Sequence, residues 1–425
     1  LGDVYKRQTL MDRYLFEVNM RADASSRFHK DHRWGYFPSF SAGWRMSEES
    51  FMKDIEWINN LKIRASYGTL GNINNVGNYD YFQNYSSGNH YNFSDSPVIG
   101  IGESKPANET LGWEKVALTD IGLDFDIFNG LLGVTADYYI KNTSDILLGY
   151  NVPTETGITA APSQNIGKVK NTGFELALNH RNKIGAVNYS IGANIATNKN
   201  KITNLGGSDN IIQTSSYIVK YILKKGESIG SFYGFKTDGL YTQADIDAGH
   251  YYTLSGVVPN AGDIKFVPQR DIEYKQEITD EDRTILGKDV PDFTYGVNLS
   301  LQYKGFEFSM FGQGISGTKV AFDVYGVHPF YHGQDSPRKY HLKRWTEENP
   351  NPHAAYPRIY SASSVHTTYN RNFSDYHLFD SDYFRFKTLS LGYTVPSATV
   401  KNWGLQSLKV YVLSLIHISE PTRRS

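Results

Sequence analysis

The chain has 425 residues, a formal net charge of −1 and no cysteine. Near-neutrality argues against a nucleic-acid partner, which selects a basic face, and the missing cysteines exclude a disulfide framework and any thiolate metal site. With 31 Tyr, 23 Phe, 6 Trp and 38 Gly, and no run of 18 apolar residues, the composition favours strands and tight turns and leaves only a barrel as a way across a membrane.

The two ends are set aside first. DVYKRQ (Asp3–Gln8) and LSLIHISEPTR (Leu413–Arg423) resemble translations of a sequencing adapter read in its two orientations. Residues 1–8 and 413–425 are therefore expected to be adapter-derived, with the fold carried by 9–412.

From there the period is two. Tyr14, Phe16, Val18 and Met20 alternate with Glu17, Asn19 and Arg21, and Phe40, Ala42, Trp44 and Met46 alternate with Ser41, Gly43 and Arg45. The pattern returns at Leu61–Tyr67, Ile121–Ile127, Leu132–Ile140, Phe174–Leu178, Val187–Ile195, Phe293–Tyr303, Phe306–Met310 and Leu389–Tyr393. Several runs reach the ~9–11 residues that a tilted strand needs to cross a bilayer.

Connections of two lengths alternate between these runs. Asn129-Gly130 and Lys304-Gly305 read as type I′ hairpin turns, and Arg181–Ala186 as another short turn. Long polar, aromatic segments lie at 71–112, 142–165, 200–216 and 319–380. To keep the alternation, DIKFV (Asp263–Val267) is expected to supply one crossing between 240 and 292.

One parity is rich in Ser, Thr, Asn, Gln, Gly, Asp and Arg, as a wet lumen requires; the other is apolar and ends in aromatics, with Trp44, Tyr67, Trp113, Tyr138, Tyr189 and Tyr303 as girdle candidates. The expected fold class is all-β: an incomplete antiparallel transmembrane β-barrel wall of about twelve strands, with long extracellular loops and short periplasmic turns. A soluble β-rich carbohydrate-binding or hydrolytic protein remains an alternative, since sandwiches alternate too.

Consecutive motifs then point to a family. RADASSRF (Arg21–Phe28), RWGYFPSFSAGWRMSEESFM (Arg33–Met52), LKIRASYGTLGN (Leu61–Asn72), WEK (Trp113–Lys115), DIGLDF (Asp120–Phe125) and NTGFEL (Asn171–Leu176) occur in that order. GSFYGFKTDGLY (Gly230–Tyr241), GDIKF (Gly262–Phe266), ITDEDRTILG (Ile278–Gly287) and YFRFKTLSLGYTVP (Tyr383–Pro396) follow. Together they resemble the later barrel region of the SusC/RagA family of TonB-linked outer-membrane transporters. The resemblance implies import of oligosaccharides or peptides through the Gram-negative outer membrane, with a SusD-type surface lipoprotein and the TonB complex as partners. It also implies that plug, TonB box, signal peptide and final strand lie outside this segment. A non-transport adhesin or receptor barrel is the rival reading.

No nucleophile elbow, phosphate loop or HExxH is present, so no catalytic residue, cofactor or metal is assigned and an enzyme is not expected. HPFYH spaces His328 and His332 four apart, but metal binding is ranked below loop decoration. Relatives of this kind often carry an Asp-rich, Gly-containing run before ITDEDR, whereas this chain has VPQRDIEYKQ (Val267–Gln276), and Asp280, Glu281 and Asp282 are expected to form a solvated loop face rather than a Ca²⁺ site. Aromatic faces stack on sugars and peptide side chains. Tyr81, Tyr85 and Tyr91 in one long segment, and Tyr331, Tyr340 and Trp345 in another, are therefore the candidate substrate- or partner-binding residues.

Overall fold

A computed structural model describes residues 2–93, 96–149, 163–214, 218–323, 327–330 and 335–418. They form two bodies, one built from Leu1–Asp209, Phe293–Gly314 and Phe384–Glu420, the other mainly from Asn210–Asp292 and Ile315–Tyr383.

The first body is a wall of twelve strands: β1 (Gly2–Leu10), β2 (Tyr14–Ala24), β3 (Trp34–Arg45), β4 (Ile58–Asn72), β5 (Glu114–Ile127), β6 (Leu132–Gly149), β7 (Ser163–Ile184), β8 (Val187–Thr197), β9 (Phe293–Tyr303), β10 (Phe306–Ser316), β11 (Tyr383–Thr394) and β12 (Lys409–Ile418). Each pairs with its neighbour in chain order, and Lys199–Leu205 adds a further strand beside β7. The all-β, antiparallel expectation of about twelve strands holds; the sheet is open, and its edge strands β1 and β12 include residues 2–8 and 413–418, which the adapter reading sets outside the fold.

Turn chemistry fixes one end. Lys304 (φ 44°) and Gly305 (φ 90°) join β9 to β10 as a two-residue turn with both φ positive. Between β5 and β6 the positive φ values begin at Phe128 (51°) and continue through Asn129 (56°) and Gly130 (79°), so the turn is centred one residue earlier than the Asn-Gly pair suggested. The amide of Gly130 closes it on the carbonyl of Ile127 at 3.1 Å.

Two expectations are corrected. Ile264–Val267 pairs with Lys236–Leu240 in the second body and makes no crossing. None is needed, because β8 pairs directly with β9, Val187 opposite Tyr303 and Thr197 opposite Phe293. Within 142–165 the described residues, 142–149 and 163–165, are strand rather than loop, since β6 has 18 residues and β7 has 22, their pairing carried past register shifts near Ile146. These strands are far longer than a bilayer crossing requires.

Register makes the two faces continuous. Tyr14, Trp44, Ile63, Leu123, Ala136, Leu176, Ile195 and Tyr295 lie opposite one another in turn across eight strands. A second row runs Phe16, Ala42, Ala65, Ile121, Tyr138, Phe174. Phe16, Ile121 and Tyr138 are 51%, 56% and 50% exposed. Exposed apolar surface on this scale is the side that meets hydrocarbon. Among the girdle candidates, Tyr67, Tyr138 and Tyr303 are exposed on strands. Trp113 is a correction: it packs against Phe28 and Phe37 at 5.4 and 5.5 Å and donates its indole N–H to the Arg33 carbonyl.

The second body holds a four-stranded sheet (Asn210–Thr214, Lys220–Lys224, Ser231–Gly234, Thr284–Lys288) and two small cores. One centres on Phe235, Leu240, Ile264, Phe266, Trp345 and Tyr369, the other on Ile218, Phe232, Phe373 and Leu378.

Candidate functional site

GDIKF is the hub of the second body. Gly262 has φ 89°, and the Trp345 ring occupies the space a Cβ would need, so glycine is required twice over. Next to it Asp263 is fully buried. Its Oδ1 accepts from Asn370 Nδ2 at 2.8 Å, and its Oδ2 accepts from the Asn260 amide at 2.8 Å and lies 2.8 Å from His366 Nδ1. Asn370 Oδ1 in turn accepts the Ile264 amide at 2.8 Å. Ser364 caps the helix Val365–Asn370 by accepting from the His366 amide. His366 and Asn370 are four residues apart, so one helix face delivers both to the carboxylate. With its oxygens answered in this way, Asp263 can stay inside.

Asn370 also lines a small cleft of about 90 Å³ that opens to solvent. Its wall is aromatic: Phe322, Phe330, Tyr356, Tyr360, Tyr376 and Phe379. Arg371 donates through Nη2 to the carbonyls of Pro329 (2.8 Å) and Phe330 (2.5 Å), which holds that side of the cleft in place. The guanidinium carbon of Arg358 lies 5.5 Å from the ring centroids of both Trp345 and Tyr360, and one of its nitrogens meets Glu347 at 2.9 Å. Tyr360 stacks on His366 with centroids 4.8 Å apart and planes 23° from parallel. Burial pushes the Tyr360 phenol up, so it remains a neutral ring. His328 and His377 line the cleft with rings 5.6 Å apart. Burial lowers both, His377 to about 3, so each is neutral at physiological pH.

The residues singled out from sequence are scattered. Tyr81 is 9% exposed and packs with Phe28, Val76 and Leu111. Tyr85 and Tyr91 stand 65% and 64% exposed on the hairpin Asn84–Phe93 and Ser96–Lys105. Tyr340 is 43% exposed, its ring 5.9 Å from that of Tyr356. Trp345 is 4% exposed and belongs to the core. Tyr331 and His332 lie outside the described residues. Arg358, Arg371 and the Asp263 network were not anticipated. The available signal was YPRIY, in which Tyr356, Arg358 and Tyr360 alternate and all reach the cleft.

Asp282 corrects the expectation of a solvated acidic face. Asp280 and Glu281 are 81% and 76% exposed, but Asp282 is fully buried. Arg270 donates to it through Nε (3.1 Å) and Nη2 (2.6 Å), and the amides of Gln269, Arg270 and Thr279 add 3.0, 3.1 and 2.9 Å bonds. Burial alone would raise this carboxyl; the guanidinium and the amides outweigh it and lower it to about 2. Among the described residues no group of three or more His, Asp or Glu has a metal-holding arrangement.

A two-faced antiparallel wall of twelve strands, with Phe16, Ile121, Tyr138 and Phe174 exposed along one apolar row, is the wall of a transmembrane β-barrel. The chain belongs to the TonB dependent receptor-like β-barrel family, whose model matches residues 7–413. TonB-dependent receptor P3 of Formosa agariphila is 32% identical over 406 residues, which cover 94% of this chain and 39% of that protein. TonB-dependent receptor SusC of Bacteroides thetaiotaomicron is 33% identical over 308 residues, 71% of this chain and 29% of that protein. In fold, a chain of the RagAB peptide importer in its open-open state matches with a TM-score of 0.76 at 22% identity, covering 99% of this chain and 43% of that one. The SusC/RagA resemblance read from the collinear motifs is borne out by these likenesses, and the chain spans 39% of the length of its Formosa relative.

Proposed function

We propose that the protein is part of a TonB-dependent transporter in the outer membrane of a Gram-negative cell, importing oligosaccharides or peptides with a SusD-type surface lipoprotein and the TonB complex. The aromatic cleft carries this reading. A wall that served only as an anchor has no use for six aromatic rings gathered around one opening, whereas stacking surfaces suit sugar rings and peptide side chains alike. Tyr85, Tyr91 and Tyr340 present further exposed rings for the substrate or the lipoprotein. Movement by rearrangement, not bond chemistry, is the mode of action.

Deleting the gene in the source bacterium and measuring growth on single glycans and peptides tests the proposal, together with recovery of a lipoprotein on detergent purification of the intact protein. Loss of growth on one substrate class and a co-purifying lipoprotein are expected. Unchanged uptake with impaired attachment to surfaces would instead favour the adhesin reading.

A further inference from the structure

Building on that reading of the cleft as a substrate site, we infer that it selects oligomers bearing a carboxylate, with Arg358 as the group that reads the acid. The charged residues that themselves line the cleft are of one sign. Arg358 and Arg371 line it, and among the described lining residues none is Asp or Glu. The two nearby histidines are buried and neutral and add no competing charge.

Arg371 is committed to the Pro329 and Phe330 carbonyls. Arg358 is differently placed. Its guanidinium carbon lies 5.5 Å from the Trp345 and Tyr360 ring centroids, and its side chain is 36% exposed. A planar fork is suited to gripping a carboxylate through two parallel N–H bonds. Its carboxylate partner is Glu347, which does not line the cleft and is 71% exposed. An ion pair this open to water is weak and exchanges readily. Glu347, met by one Arg358 nitrogen at 2.9 Å, is the internal competitor that an incoming carboxylate displaces. Tyr356 and Tyr360, on either side of Arg358 in YPRIY, supply rings on which the adjoining sugar or side chain stacks.

The test uses the intact protein in detergent and titration calorimetry with four probes: hexagalacturonate, maltohexaose, a Glu-containing hexapeptide, and the same peptide with Gln for Glu. At least one acidic probe is expected to bind about tenfold or more tighter than its neutral counterpart. Which pair shows the difference tells a uronate source from a peptide source. R358Q is expected to remove the preference and leave neutral binding in place. E347Q, which alters only an exposed side chain, is expected to tighten the acidic probe by removing the internal competitor, and so protects the inference from a misfolded R358Q. Equal affinities within both pairs, or an unaltered preference in R358Q, would overturn it. Such a result would leave the transport reading intact, because that is judged by growth and uptake.

Discussion

Arg64 holds both carboxylate oxygens of Asp137 at 2.7 and 2.8 Å, although a strand separates them. The residue between is Gly122, opposite Arg64 on one side and Asp137 on the other. A Cβ there would overlap both side chains. Arg64 also reaches Asp124 at 3.2 Å, so the polar face of β4–β6 is tied by charge across three strands. Replacing Gly122 by Leu is expected to force the pair apart and cost about 1–3 kcal/mol. The temperature at which the folded barrel loses its faster mobility on unheated gels measures this, and an unchanged temperature would contradict the role given to Gly122.

The two faces of the wall predict opposite solvents. Nitroxide labels at Ala42 and Leu123 are expected to collide with oxygen dissolved in lipid, and labels at Asn19 and Ser66 with a water-soluble paramagnet. Aqueous signatures at Ala42 and Leu123 would remove the membrane from the account.

Asp282 makes stability depend on acid. Its folded value, about 2, lies below the ordinary carboxyl value near ~3.9, so the unfolded chain takes up the proton first. The contribution is therefore present above about pH 4 and is lost as pH falls towards 2, on the order of 2 kcal/mol in all. Unfolding of wild type and D282N, compared between pH 5 and 3, should show a steeper loss in wild type. Parallel curves would argue against the buried cage.

His377 acts at milder pH. Its folded value of about 3 lies below the unfolded value near ~6.5, so stability is full above about 6.5 and falls as pH drops from there towards 3. The slope is on the order of 1 kcal/mol per pH unit for one group. H377F should flatten the melting temperature between pH 7 and 5; an unaffected slope would place the titration elsewhere.

Trp345 and Tyr340 should separate packing from contact. W345A removes a ring from the core and is expected to cost about 3–5 kcal/mol, seen as faster proteolysis of the loop body. Y340A changes an exposed ring and should leave proteolysis unchanged. A W345A protein that resists protease normally and has lost ligand binding would make Trp345 a contact residue.

Most of the wall was legible because its information is local. A strand with lipid on one side and water on the other must alternate, so Phe16, Val18 and Met20 against Glu17 and Asn19 give the element, its type and its faces without reference to any partner. Turn residues did the same at Gly305, whose φ of 90° glycine adopts without steric cost. The motif order carried the family for a similar reason, since each signature is contiguous.

The rest depended on which distant segments meet. Nothing near DIKFV distinguishes a crossing strand from one that pairs with Lys236–Leu240, because both are short and alternating. Asp263 and Asn370 are 107 residues apart, Asp282 finds Arg270 across a turn, and Arg64 finds Asp137 only because β4, β5 and β6 adopt one register. The sequence alone determined that this chain forms a two-faced β wall, since each strand must satisfy two solvents residue by residue. Tertiary structure alone decided which polar groups are buried, and which aromatics and guanidinium share one cleft, because burial and pairing belong to segments brought together from far along the chain.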